Sequence, residues 1–394
     1  KTKIYTLDLK ERNGVKEKIK ATDIGLKYNA KSKIQSIKDS QNSFTWIAAI
    51  FNHKHSELDG IVTYNDKLLK ERFDQLSLFD SKKIVEPQNA SFKYSNKVYV
   101  IEKEVMGNKV NTKLLYANVV KSILNGETEV DLEKENDYIN PKYTSTSEKV
   151  KSTNILLNKY VKSKITYTFA GGSEFLDGSI IHDWLGVNKN LEVTFDKDKM
   201  DNYVREVDDN YNTFGENRNF ATSLGTTVKV SGGDYGWLVN RSGEIDDLIV
   251  NIKDGQTLTK VPRYTQTAAS HDTNDIGNTY VELNLTKQHL WFYKNGLLIV
   301  QGDVVTGGVS SHHETPKGVY ALKYKEKNAT LKGEGYSTPV DFFMPFNGGI
   351  GIHDLGSRPS FGGKIYLTNG SHGCVNCPPI LAKTIFNNID ANTP

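Results

Sequence analysis

Several absences narrow the chemistry of this 394-residue chain before any motif is read. Cysteine is nearly missing. Only Cys374 and Cys377 occur, too few for a disulfide scaffold, so the fold depends on buried apolar surface and not on cross-links. No run of eighteen apolar residues exists, which excludes a membrane-spanning helix from this stretch of chain. An excess of one charge is missing too: 50 Lys+Arg stand against 47 Asp+Glu, and the net +3 is spread through Lys- and Asn-rich text with no concentrated basic patch. Nucleic acid is therefore not an expected partner. With 37% hydrophobic and 25% charged residues the chain is ordinary globular material, and its length predicts two or three domains at about 150 residues each.

What is present is concentrated in Gly370 to Pro379, Gly-Ser-His-Gly-Cys-Val-Asn-Cys-Pro-Pro. A cysteine set among small residues beside a histidine is a candidate nucleophile, because an ionised thiol attacks a carbonyl better than a hydroxyl does. Cys374 is that residue. Gly373 allows the backbone to approach a bound carbonyl, so the N–H groups of Gly373 and Cys374 are the natural oxyanion donors, with Ser371 and His372 supplying polar side chains. A base is expected from Gly349-Ile350-Gly351-Ile352-His353-Asp354. His353 lies 21 positions before the thiol, so the chain must double back through Gly356, Pro359, Gly362 and Gly363, with Lys364 to Leu367 read as a returning strand. On a strand the Asp354 side chain faces away from His353, so a backbone carbonyl is the expected partner that fixes the imidazole tautomer. Phe342, Phe343, Met344 and Phe346 form either core or one wall of the site, and Asn376 locks the loop or meets substrate.

The spacing His, seventeen residues, then Ser-His-Gly-Cys-apolar-Asn resembles the signature of the L,D-transpeptidase (YkuD-like) catalytic domain. Further matches are Tyr280-Val281-Glu282, Gln288 with Trp291-Phe292-Tyr293, Thr306-Gly307 and Thr315-Pro316-Lys317-Gly318. The resemblance implies no cofactor and no metal, and a donor that is a tetrapeptide stem of peptidoglycan. It is cut after its third residue with release of D-alanine, and the thioester passes to a neighbouring stem in a 3→3 cross-link. It also implies acylation of Cys374 by carbapenems, with Met344, Phe346 and Asn376 as substrate-contacting candidates, and a place on the outer face of a bacterial envelope. Because the chain begins at Lys1 without a leader, the resemblance further implies a trimmed ectodomain whose only tie to a membrane is an anchor outside this sequence.

Upstream, the text repeats at a shift of about 130. Val62-Thr63-Tyr64-Asn65 pairs with Val193-Thr194-Phe195-Asp196, Met106-Gly107-Asn108 with Tyr235-Gly236-Trp237, and Asn125-Gly126 with Asp254-Gly255. Leu58-Asp59-Gly60 pairs with Leu176-Asp177-Gly178 at a shorter shift, implying an insertion in the second copy. Each copy reads as helix, loop, strands and turn, and the pair resembles the peptidoglycan-binding modules that precede some L,D-transpeptidase domains. The expected architecture is multidomain α+β. Two related α+β modules, 1–147 and 148–264, lead through a polar linker, 265–278, to a mostly-β sandwich or barrel at 279–394 that ends in a helix from Pro378 to Ile389.

Rival readings stay open at this point. An L,D-carboxypeptidase gives the same thioester to water. A non-enzymatic wall-binding protein would hold a structural metal with Cys374, Cys377, His353 and His372. Cys-x-x-Cys also invites a redox reading in which a disulfide silences the nucleophile. His312-His313-Glu314 and the pair His53 and His55 read as solvated loop residues.

Overall fold

The computed structural model describes residues 4–28, 62–169, 172–271, 274–333 and 336–394. Leu58-Asp59-Gly60, His53 and His55 lie outside them. The chain divides into two compact units, Lys1–Leu156 and Leu157–Pro394.

In the first unit, alternating Leu7 and Leu9 place one face of β1 (Thr6–Lys10) in the core, and the turn at Arg12–Gly14 returns the chain as β2 (Lys16–Lys20), closing a hairpin. Helix α1 (Asp66–Asp74), the hairpin β3 (Ser91–Ser95) and β4 (Val98–Glu102), and helix α2 (Thr112–Asn125) follow. Strand β5 (Glu129–Asp131) then pairs parallel to β1, giving the sheet order β2-β1-β5. Phe73 of α1 and Leu115, Val119 and Ile123 of α2 pack on Leu7, Leu9 and Ile19.

The second unit repeats this plan. After α3 (Glu148–Tyr160), which runs across the division, strand β6 (Lys164–Phe169) pairs antiparallel with β7 (Gly172–Leu176). Helix α4 (Lys197–Tyr211), the hairpin β8 (Arg218–Ala221) and β9 (Thr227–Val230), and helix α5 (Arg241–Asp254) lead to β10 (Thr257–Lys260), parallel to β6. Two of the pairs matched in the repeat start or stop helices, and the caps of α2 and α5 lie just beyond a third. Asn65 and Asp196 accept the first free N–H groups of α1 and α4, Asn111 and Asn240 do the same for α2 and α5, and Gly126 and Gly255 close those two helices at φ 72° and 69°.

Beyond the second module, the described part of the segment 265–278 is packed against its neighbours. Asp275 is buried and ion-paired with Arg218 of β8, and Ile276 packs with Tyr235, Val319 and Ala321. Asp234 accepts from the Ala321 N–H and from Lys323, so the module's hairpin region is joined to the domain that follows it.

That domain holds two sheets. One is antiparallel: β11 (Tyr280–Asn284), β12 (His289–Lys294) and β13 (Leu297–Asp303). The other runs β14 (Glu326–Gly333), β15 (Tyr336–Asn347), β16 (Ile350–Asp354) and β17 (Val375–Cys377), with only the last pair parallel. Helix α7 (Pro379–Asn388) starts at a proline pair suited to its first turn and buries Leu381, Ala382, Ile385 and Phe386 against Leu290, Phe292, Met344 and Val375. Between His353 and Cys374 the chain does turn back, but Lys364 to Leu367 is not a strand. Its place is taken by one helical turn, α6 (Tyr366–Asn369), whose carbonyls accept from the Val309 and Ser310 N–H groups.

Candidate active site

Strand β16 carries His353, and β17 begins one residue after Cys374. The two strands pair parallel with Ile352 opposite Val375, His353 opposite Asn376 and Asp354 opposite Cys377. Cys374 is half-buried, and its sulfur lies 3.7 Å from the Gly349 carbonyl and is met by the Gly351 N–H, so the thiol leans on the strand that bears the histidine. By the alternation of side chains, Cys374 and His353 share one face of the pair, with strands about 4.8 Å apart.

His353 is 5% exposed. Its Nδ1 lies 2.8 Å from the Asp354 carbonyl, the backbone partner expected from sequence. With that nitrogen donating, Nε2 carries the lone pair that accepts a proton. Burial lowers the imidazole pKa below its ordinary 6.5, the Asp354 carbonyl and carboxylate oppose the shift, and the Arg358 guanidinium adds to it. Burial likewise raises the Cys374 pKa, against the Gly351 N–H that favours the thiolate. Both shifts favour a neutral thiol beside a neutral imidazole at rest.

The nucleophile loop is fixed by its neighbours. Ser371 Oγ donates to the Cys374 carbonyl and accepts the Gly373 N–H at 3.1 Å, while its own N–H donates to the Thr306 carbonyl at 2.9 Å. Thr315 Oγ1 donates to the Gly373 carbonyl at 2.7 Å and accepts the Gly307 N–H at 2.9 Å. Behind them Gln288, fully buried, bonds both the N–H and the hydroxyl of Thr306. Gly373 sits at φ 119°, where a side chain is strained and would meet Ile350. Its N–H is spent on Ser371, so of the two N–H groups expected from sequence to face an oxyanion the Gly373 one is already engaged. His372 is exposed, with its ring 4.9 Å from that of His313, and His312, His313 and Glu314 are exposed loop residues as the sequence suggests. Asn376 is buried and its backbone exchanges two bonds with Val305.

Three expectations change. Met344 is buried in the core with Leu290, Phe292 and Val375, so it offers no wall to the thiol, and Phe346 lies on a groove of about 620 Å³ whose walls include neither Cys374 nor His353. Cys377 faces the core with Val375, opposite to Cys374, and burial raises its pKa. Three residues of extended chain separate the sulfurs' Cα atoms by about 10 Å, beyond disulfide reach. The same opposition breaks up the Cys2His2 metal set, and among the described residues no group of three or more His, Cys, Asp or Glu is placed to hold a metal. Sequence reading missed the Gly351 N–H and the Arg358 guanidinium. Alternating glycines in β16, which mark close backbone approach, were the available signal for the first.

Two copies of an α+β module thus precede a sheet-rich domain that carries the Cys–His pair. The L,D-transpeptidase catalytic domain (YkuD) matches residues 278–394, and the family described as "Putative peptidoglycan binding domain" matches twice, at 17–131 and 143–259. The chain belongs to the L,D-transpeptidase family with such N-terminal domains. It is similar to the crystal structure of a cysteine-to-serine mutant of Enterococcus faecium L,D-transpeptidase (34% identity, 61% of this chain and 97% of that chain, TM-score 0.49). It is also similar to the catalytic domain of the E. faecium L,D-transpeptidase acylated by ertapenem (41% identity, 30% and 94%, TM-score 0.28) and to the L,D-transpeptidase 3 of Mycobacterium tuberculosis (16% identity, 29% and 58%, TM-score 0.26). Among curated proteins none matches the chain.

Proposed function

We propose that the domain from 279 to 394 forms 3→3 cross-links through a thioester on Cys374, and that the modules at 1–147 and 148–264 hold it on peptidoglycan at the cell wall. The observation that supports this reading is the half-buried thiol lying on the strand of His353, whose Nδ1 is tied to the Asp354 carbonyl. His353 Nε2 takes the thiol proton as sulfur attacks the carbonyl of the third stem residue. The oxyanion is received by the Cys374 N–H, a donor of a kind whose loss costs about 3 kcal/mol of transition-state stabilisation. The imidazolium then gives its proton to the leaving amine of D-alanine. The thioester is attacked by the side-chain amine of an acceptor stem; His353 removes one proton from that amine and returns it to the departing sulfur. A strained β-lactam is opened by the same attack, consistent with the ertapenem adduct of the E. faecium relative.

Incubation of the full chain with a disaccharide tetrapeptide, followed by mass analysis, tests the reading. Cross-linked dimer is expected and should vanish in Cys374→Ala. Tripeptide alone would identify a carboxypeptidase, and no thiol-dependent product would reject the acyl-enzyme.

A further inference from the structure

The chain has seven arginines, all among the described residues. Six of them, Arg12, Arg72, Arg205, Arg218, Arg241 and Arg263, stand in ion pairs with described carboxylates. Arg358 alone does not. It lies in the connection between base and nucleophile, where its N–H donates to the Leu355 carbonyl and Leu355 in turn donates to Cys377, fixing the backbone to the end of the His353 strand. The side chain reaches the other way and donates from Nη1 to the Asn369 carbonyl, two residues ahead of Ser371. Its Nε is buried without a hydrogen-bond partner. Burial is the cause that lowers the guanidinium pKa, and its charge is felt at His353. A partly buried charged fork, with its Nε cut off from water and no carboxylate partner among the described residues, is costly, and an anion arriving between base and nucleophile loop would relieve that cost.

We propose that Arg358 is the receptor for the terminal carboxylate of the donor stem's leaving D-alanine. This rests on the reading above. The carboxylate is separated by a single carbon from the nitrogen that His353 must protonate, so its receptor has to stand beside the base, and Arg358 is the cation placed there. A guanidinium fork that binds it orients the leaving amine toward His353 and selects stems ending in a free acid. The residue is thereby a specificity determinant as well as a tie to Asn369.

The test compares two donors, a disaccharide tetrapeptide with a free terminal carboxylate and the same compound with that group amidated, on wild type and Arg358→Gln. Labelling of Cys374 by the neutral reagent iodoacetamide reports whether the site is intact. The expected result is a wild-type preference for the free acid that falls by roughly tenfold or more in the variant, through the free acid alone, with labelling unchanged. Equal losses on both donors would overturn the proposal in favour of a latch on Asn369, and so would an unchanged preference. Wild type that turns over both donors equally rejects the Arg358 inference alone; wild type that turns over neither rejects the cross-linking reading and this inference with it.

Discussion

At the scale of single residues, burial favours a protonated Cys374 and an unprotonated His353. The raised Cys374 pKa means a smaller thiolate fraction at neutral pH than a free thiol has, so iodoacetamide should label Cys374 more slowly than it labels free cysteine at pH 7, with the rate still climbing above the ordinary thiol range. The lowered His353 pKa has the complementary consequence. The imidazole stays unprotonated, and able to accept, at pH values below 6.5, so the acid limb of a pH–acylation profile should fall below that value; a limb above 6.5 would contradict the burial argument. Thr315 makes a separate prediction. Thr315→Val keeps the shape but leaves the Gly373 carbonyl and the Gly307 N–H without their partner, at a cost of about 1–3 kcal/mol. Urea unfolding should show the loss, and acylation should slow even at temperatures where the domain remains folded.

At the scale of elements, strand alternation decides what the two cysteines can do. Cys374 belongs to the face of His353 and Cys377 to the core, so air-oxidised protein should have the same intact mass with and without reductant; a difference of about 2 Da would mean that β17 had come apart. The dipole of α7 is a weak influence on the thiol, because β17 stands between Cys374 and the first turn of that helix. Most elements were readable as local patterns. The hairpin at Thr6–Lys20, the caps at Asn65, Asn111, Asp196 and Asn240, and the apolar stripe of α7 each follow from residues close in sequence. Lys364 to Leu367 misled because four residues with two aliphatics and a tyrosine fit a strand as well as a helical turn, and the choice was made by the bonds of α6 to Val309 and Ser310.

At the scale of the whole molecule, the second module from Leu157 onward and the catalytic domain fall within one compact unit, and Asp275 and Ile276 between them are part of its packing. Arg218 bonds Asp275 through two nitrogens and also serves the carbonyls of Thr213, Glu216 and Tyr235. Arg218→Ala strands a buried carboxylate and should destabilise this unit by about 3–5 kcal/mol in denaturant unfolding, while a surface pair such as Lys197 and Asp246 should give less than about 1 kcal/mol when broken. Equal effects from the two would show that the segment is not load-sharing. Polarity alone made residues 265–278 look like a linker, since a paired buried charge has the same composition as a solvated one.

By itself the sequence determined the doubling back between His353 and Cys374 and the duplication of the N-terminal module, and it singled out those two residues as candidate base and nucleophile, because each is written in residue type and short spacing. Only the tertiary structure decided that Gly373 gives its N–H to Ser371, that Met344 and Cys377 belong to the core, and that Arg358, unpaired with any described carboxylate, acts on His353. The reason is physical: strand register and burial set which face a side chain takes and which partners it meets, and both are fixed by contacts between residues far apart in the chain.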